Sequence, residues 1–257
     1  MDLIDAVVRL AFCLPRLSGA FLLMPFLARR LVPGLVRGGV LLSLALPLYP
    51  VIDGEFPTES LDAFHGFAIT FKEVGLGLLF GFPFALWFWI LEATGFFIDN
   101  QRGSTMASSL DPLFGSQLSP LAILLQQAFM VVFLTGGGLL ICLRLIYDSF
   151  ELWPVFALLP APTPALPLYF LGLMDRLMEM TVLLAGPVIF SMFLAEFGLA
   201  LISRFAPQLN VFVLAMPIKS ALGLFVLILY LPFLFAQLRT QIMPTPGLLS
   251  ELSAFFR

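Results

Sequence analysis

Residues 121–143 and 220–238 run without one charged side chain, and 74–91 and 180–195 do so over a shorter reach. A membrane-crossing helix needs about 20 mainly apolar residues at 1.5 Å each. These four runs are therefore read as helices that cross or pack within a bilayer, the fourth lengthening if it starts near Tyr169. Between the runs 74–91 and 121–143 lies a polar, Ser/Gly-rich stretch from Ile98 to Pro112. A bilayer interior cannot hydrogen-bond open backbone. Irregular polar chain at that place belongs in water, inside protein or against a pore, and it is expected to be non-helical.

Composition agrees. The chain is 60% hydrophobic and 11% charged, with 29 Phe among 257 residues. A soluble domain carries about 25% charged residues, so most of this surface must face lipid or apolar protein. A net charge of −3 and the lack of a basic block argue against nucleic acid as a partner. The N-terminus, Met-Asp-Leu-Ile-Asp, lacks a positive leader and a small-residue cleavage site. The first apolar run is thus expected to be a retained anchor. Cys13 and Cys142 both lie in apolar runs and are expected as buried free thiols.

The first two candidate helices are poorer. The run after Arg16 reaches Ala28 and contains Pro25; the run from Gly38 to Ile52 contains Pro47 and Pro50. Both are short for straight spans and are expected to be tilted, kinked or packed in a larger assembly. Arg29, Arg30 and Arg37 follow the first helix, while Asp53, Glu55, Glu59 and Asp62 follow the second. The positive-inside rule then puts 29–37 in the cytoplasm and the N-terminus outside. Alternation puts 99–120 inside, 148–167 outside, 204–217 inside and the C-terminus outside. Pro154, Pro160, Pro162, Pro164 and Pro167 make a stiff, extended linker that is expected not to continue a helix. The expected division is 1–153, a linker at 154–167, a helical hairpin at 168–240 and a tail at 241–257.

Catalytic patterns are missing from the sequence. The single histidine, His65, is read as a surface loop residue and excludes a His-pair metal site. There is no Walker A loop, nucleophile elbow or Cys-x-x-Cys, so no enzyme, cofactor or metal is expected. Charged residues at membrane depth are the next signal: Arg16, Glu92, Arg144, Asp175, Arg176, Glu179 and Glu196. Each ionised group at the bilayer centre costs about 2.5–3.5 kcal/mol on insertion scales, so all should face protein or water. Arg176 and Glu179 are i,i+3 and within pairing reach. An ion relay is one reading; salt bridges between subunits, or helix ends at the interface, is the favoured one, because no two carboxylates form an intrahelical relay.

Gly77 and Gly81 form a Gly-x-x-x-Gly pair, extended by Gly75, that suits close helix packing. Gly136-Gly137-Gly138 interrupts the run 121–143, and Pro83 and Pro187 are expected to kink two others. Tight packing and a set of bent helices around a pore both fit. In the segment 203–220, Pro207 and Pro217 bracket an apolar stretch with Asn210 inside. It is read as a buried turn. Phe212 and Met216 either fill a core, the favoured reading, or seal a channel.

Asp99-Asn100-Gln101-Arg102-Gly103 through Ser109-Leu110-Asp111-Pro112, with Arg204-Phe205-Ala206-Pro207-Gln208-Leu209-Asn210-Val211-Phe212 and Met216-Pro217-Ile218-Lys219, resemble the T subunit of the type III secretion export apparatus, the SctT/FliR family. The resemblance covers essentially the whole chain. The Asp-Asn-Gln-Arg-Gly form is more similar to the virulence injectisome branch than to the flagellar one, which usually carries a Met/Gly-rich version there.

The resemblance implies an all-α membrane protein of about six kinked helices, in which an R-like N-terminal part is fused to an S-like C-terminal hairpin. It implies a non-enzymatic subunit of an export gate in the bacterial inner membrane, partly raised toward the periplasm. One T subunit would join five R and four S subunits, together with the U-type switch subunit and the V-type export-gate subunit, around a pore for unfolded protein substrates. It implies a plug near 99–120, with Gln101, Arg102, Gly103, Ser104, Thr105, Met106, Ser108, Ser109, Asp111 and Pro112. It also implies a gasket near Phe212, Val213 and Met216; the partner subunits supply methionines where this chain has an aromatic ring. The competing readings are a solute transporter or ion channel with a midplane site at Glu92, Glu196 and Arg144, and a passive membrane scaffold.

Overall fold

A computed structural model describes residues 3–27, 32–50, 63–103, 119–157, 164–205 and 211–242. Among these residues every regular element is helical, so the protein is all-α. The helices are α1 (Leu3–Leu22), α2 (Gly34–Ala45), α3 (Ala63–Arg102), α4 (Pro120–Thr135), α5 (Gly138–Leu152), α6 (Ala165–Phe205) and α7 (Val211–Ile242). Short 3-10 turns, Pro25–Leu27 and Leu46–Leu48, follow α1 and α2. A proline stands in each, where the missing N–H ends regular α structure.

Among the described residues three helices are long and apolar enough to cross a membrane, Phe64–Arg102, Ala165–Phe205 and Leu214–Arg239. A fourth crossing is available if α4 and α5 count as one span; they are bent by 69° at their break. The bend comes at the triple glycine, where Gly137 takes φ +83° and ends one helix before the next begins. With that break there are seven α-helices among the described residues, where about six were expected. The helices before it, Leu10–Leu22 and Gly34–Leu48, are short, as their prolines suggested.

Four readings need correction. Ile98–Arg102 is helical, not irregular: α3 runs 40 residues and ends only at Gly103, whose φ of +86° suits a glycine cap. The Pro-rich linker yields earlier than expected, because α6 starts at Ala165 and takes Pro167 into its first turn. There a missing N–H costs nothing, since first-turn donors have no helical partner anyway. Residues 211–220 form the start of α7, with Pro217 and Pro232 inside the helix. His65 is exposed, but stands on α3 and not on a loop.

The chain forms two packing units. One is drawn from Met1–Leu86 and Phe133–Leu173. There α1 crosses α3 at very close range: a Cβ on Gly77 would lie 2.1 Å from the Arg16 carbonyl oxygen, and one on Gly81 2.5 Å from that of Ala20. Side chains are excluded from that crossing, as in other small-residue membrane contacts; Gly75 meets nothing and takes no part. Phe26, Phe84 and Phe133 pack around it with ring centroids 6.4 Å apart. Cys13 and Cys142 are buried thiols that are not joined in a disulfide. The other unit is drawn from Trp87–Val132 and Met174–Met243. Its core joins Ile98 and Leu121 to Ala185, Val188 and Met192 of α6 and Leu227 of α7.

Candidate functional site

One carboxylate joins the end of α3 to the start of α4. Asp99 is buried in the last turn of α3. Its Oδ1 accepts a hydrogen bond from Arg102 Nη2 at 2.6 Å. Its Oδ2 accepts from the Ser119 hydroxyl at 2.6 Å and from the Leu121 N–H at 2.9 Å. Ser119 also caps α4, taking the Ala122 N–H at 3.2 Å, and Pro120 fills the first helical position. A carboxylate near a helix C-terminus is opposed by the dipole of its own helix. Here Arg102 offsets that, and the N-terminus of α4 supplies a second favourable field. One side chain therefore ties residue 102 to residues 119–121, on either side of the segment 104–118.

The root of that loop touches the start of α7. A Cβ at Gly103 would lie 3.8 Å from Met216 Cε. The two sequence segments that carried the resemblance, near 99–112 and 203–220, thus meet at Gly103 and Met216. One turn away, Lys219 Nζ donates to Glu196 Oε2 at 2.9 Å and ties α7 to α6. Gln126 Nε2 donates to Glu92 Oε2 at 2.7 Å between α4 and α3.

Residues 7–244 match the family of bacterial export proteins, family 1. The chain belongs to that family. It is 45% identical over 218 residues to Yop proteins translocation protein T of Yersinia pestis, covering 84% of this chain and 83% of the relative. It is 36% identical over 212 residues to the surface presentation of antigens protein SpaR of Shigella flexneri, with 82% and 80% covered. To the flagellar biosynthetic protein FliR of Bacillus subtilis it is 29% identical over 225 residues, with 87% and 86% covered. This export protein accordingly sides with the injectisome branch of the SctT/FliR family rather than with the flagellar branch.

The export protein holds its other expected residues in separate places. Gln101, Arg102 and Gly103 are described; Ser104, Thr105, Met106, Ser108, Ser109, Asp111 and Pro112 lie outside the described residues. Phe212 and Val213 are in the first turn of α7, and Met216 is half-buried. Asp175, Arg176 and Glu179 are exposed on α6, with the Arg176 guanidinium 5.3 Å from the Trp87 ring centroid. Arg144 is 85% exposed and 3.9 Å from Asp148. Glu92, Glu196 and Arg144 each have a different neighbour, Gln126, Lys219 and Asp148.

Arg16 is buried completely, as a membrane-depth charge should be, but its partner was missed. Glu73 takes both Arg16 Nε, at 2.7 Å, and Nη2, at 2.9 Å, in a two-pronged ion pair. The guanidinium also donates to the carbonyls of Ser149 and Trp153, at the end of α5, and stacks 4.0 Å from the Phe150 ring. Lys72 sits 3.1 Å from Glu73 and donates to the carbonyls of Pro154, Val155 and Ala157. Two cations sharing one carboxylate thus hold the turn that leaves α5. Ser119 had a local signal, Ser-Pro before an apolar run. Glu73 had none: its partner is 57 residues away.

Proposed function

We propose that this protein is a non-enzymatic subunit of a type III export gate in the bacterial inner membrane. The segment 104–118 plugs the pore through which unfolded protein substrates pass. The observation that carries this reading is the Asp99 clasp. A loop meant only to connect two helices needs no buried carboxylate bonded to both of its feet. A polar loop that must sit in a wet lumen without dragging its helices apart does. Fixed feet confine any movement to the segment between them, and Ser, Thr and Gly exchange partners with water at little cost. The contact between Gly103 and Met216 supports a gasket at Phe212, Val213 and Met216 that works next to the plug.

The relatives are named as translocation, antigen-presentation and flagellar biosynthetic proteins, which favours an assembly with other export subunits. We assign the R and S subunits as partners, five and four to one copy of this chain, with the U-type and V-type subunits beside them. The R-like part is 1–153 and the S-like hairpin 168–240. The apolar outer faces of α6 and α7 support this, because their most apolar windows are only 22% buried within the chain. Orientation follows the positive-inside reading, with 99–120 cytoplasmic and part of the assembly raised toward the periplasm.

Deleting Ser104–Ser109 tests the plug. Ion conductance across membranes holding the assembled gate should rise while export partly persists. Unchanged conductance, with the mutant subunit shown to be present in the assembly, would reject it.

A further inference from the structure

A cavity of about 360 Å³ opens in the packing unit that holds α1, far in sequence from the plug segment. Phe21, Leu41, Val74, Gly19 and Ser18 line it, and so does Arg37. The Ser18 hydroxyl is already used, donating to the Pro15 carbonyl at 2.9 Å. The wall therefore offers apolar surface and one cation. Arg37 stands in the first turn of α2, where the helix dipole opposes a positive charge, and has no ion-pair partner among the described residues. On the same short helix Leu35 is 89% exposed, and Val36 and Leu42 are about half exposed. A 12-residue helix is too short to cross a bilayer by itself. An apolar hollow, a greasy rim and an unpaired guanidinium describe one kind of occupant.

We propose that this cavity binds one anionic phospholipid, its acyl chain among Phe21, Leu41 and Val74 and its phosphate on Arg37. The volume lies at the small end of ligand pockets, which suits part of one chain and not a whole lipid. The charge is of the right sign for phosphatidylglycerol. The inference does not depend on the plug reading.

Native mass spectrometry of the full chain, extracted in its complex from nanodiscs, tests it. The nanodiscs carry phosphatidylcholine with phosphatidylglycerol. The wild type should retain one phosphatidylglycerol per chain in preference to phosphatidylcholine. Arg37→Gln should lower that preference about fivefold, the size expected of one basic side chain at an anionic surface, and Arg37→Lys should keep most of it. Leu41→Phe, which fills the hollow, should lose both lipids while leaving the complex mass unchanged. Equal retention of the two lipids by the wild type, or no change in Arg37→Gln and Leu41→Phe, would overturn the assignment. Displacement of the bound lipid by excess inorganic phosphate would overturn the part that seats an acyl chain.

Discussion

α3 and the α6–α7 hairpin are equally greasy and are used in opposite ways. The mean hydropathy of the best window is 2.0 in α3, 2.0 in α6 and 2.2 in α7. Yet 67% of the α3 window is buried inside the chain, against 22% for each of the other two. α3 takes part in the closest packing: α1 closes on its glycines and the Arg16–Glu73 pair locks it from within. α6 and α7 bury a smaller share, Ala185, Val188, Met192 and Leu227 among it, and leave Phe190, Phe193, Phe197, Phe225 and Phe233 outward. In a bilayer apolar surface alone does not drive helices together, because lipid tails are as apolar as leucine. Polar pairs and backbone proximity decide which helices pack, and α3 holds most of both.

The contrast is sharpest at Glu73. Removing its carboxylate in Glu73→Ala leaves Arg16 and Lys72 buried without their counter-ion, and such a break costs about 3–5 kcal/mol. The expected outcome is loss of folded protein on thermal unfolding in detergent, well beyond that of any charge change on α6. A loss under about 1 kcal/mol, the usual worth of an exposed pair, would show that water reaches the cluster.

Glycine substitutions give a matched pair. Gly77→Ala places a methyl group against backbone and should destabilise by about 1–3 kcal/mol through overpacking. Gly172→Ala on α6 meets nothing within 4 Å and should stabilise slightly, by about 0.5–1 kcal/mol of helix propensity. Both are read from melting temperatures, and equal shifts would erase the distinction between the two regions.

Phe193→Ala with Phe197→Ala should change the melting of the isolated chain little, since both rings are more than half exposed. It should, however, weaken co-purification with small membrane subunits. Unaltered co-purification would leave lipid as the neighbour of that face. The smallest effect is expected at Arg144→Ala, whose loose, exposed pair with Asp148 contributes at most about 0.5 kcal/mol. A large loss of assembly in that variant would reveal a partner acid from another subunit.

Residue order alone settled a good deal. Charge-free runs of span length and the low share of charge forced an all-helical membrane protein. Gly136–Gly138 marked the break between α4 and α5, because glycine weakens a helix locally. The motifs at 99–112 and 204–219 marked the family. These are local signals, and they survive in a one-dimensional reading because propensity and hydropathy act over a few residues.

Other features took shape only when distant residues met. The helix continues through Ile98–Arg102 because Asp99 finds Ser119 and Leu121 on the far side of the loop, and no local propensity announces a partner twenty residues on. Residues 211–220 looked too proline-rich for a helix. Pro217 is nonetheless carried inside α7, where the neighbouring Lys219 anchors the helix to Glu196 on α6. Which of three equally apolar helices becomes core was also invisible, since hydropathy counts how much surface avoids water. It does not say whether lipid or protein covers that surface. That choice belongs to packing, and in this protein a buried ion pair and a few glycines make it.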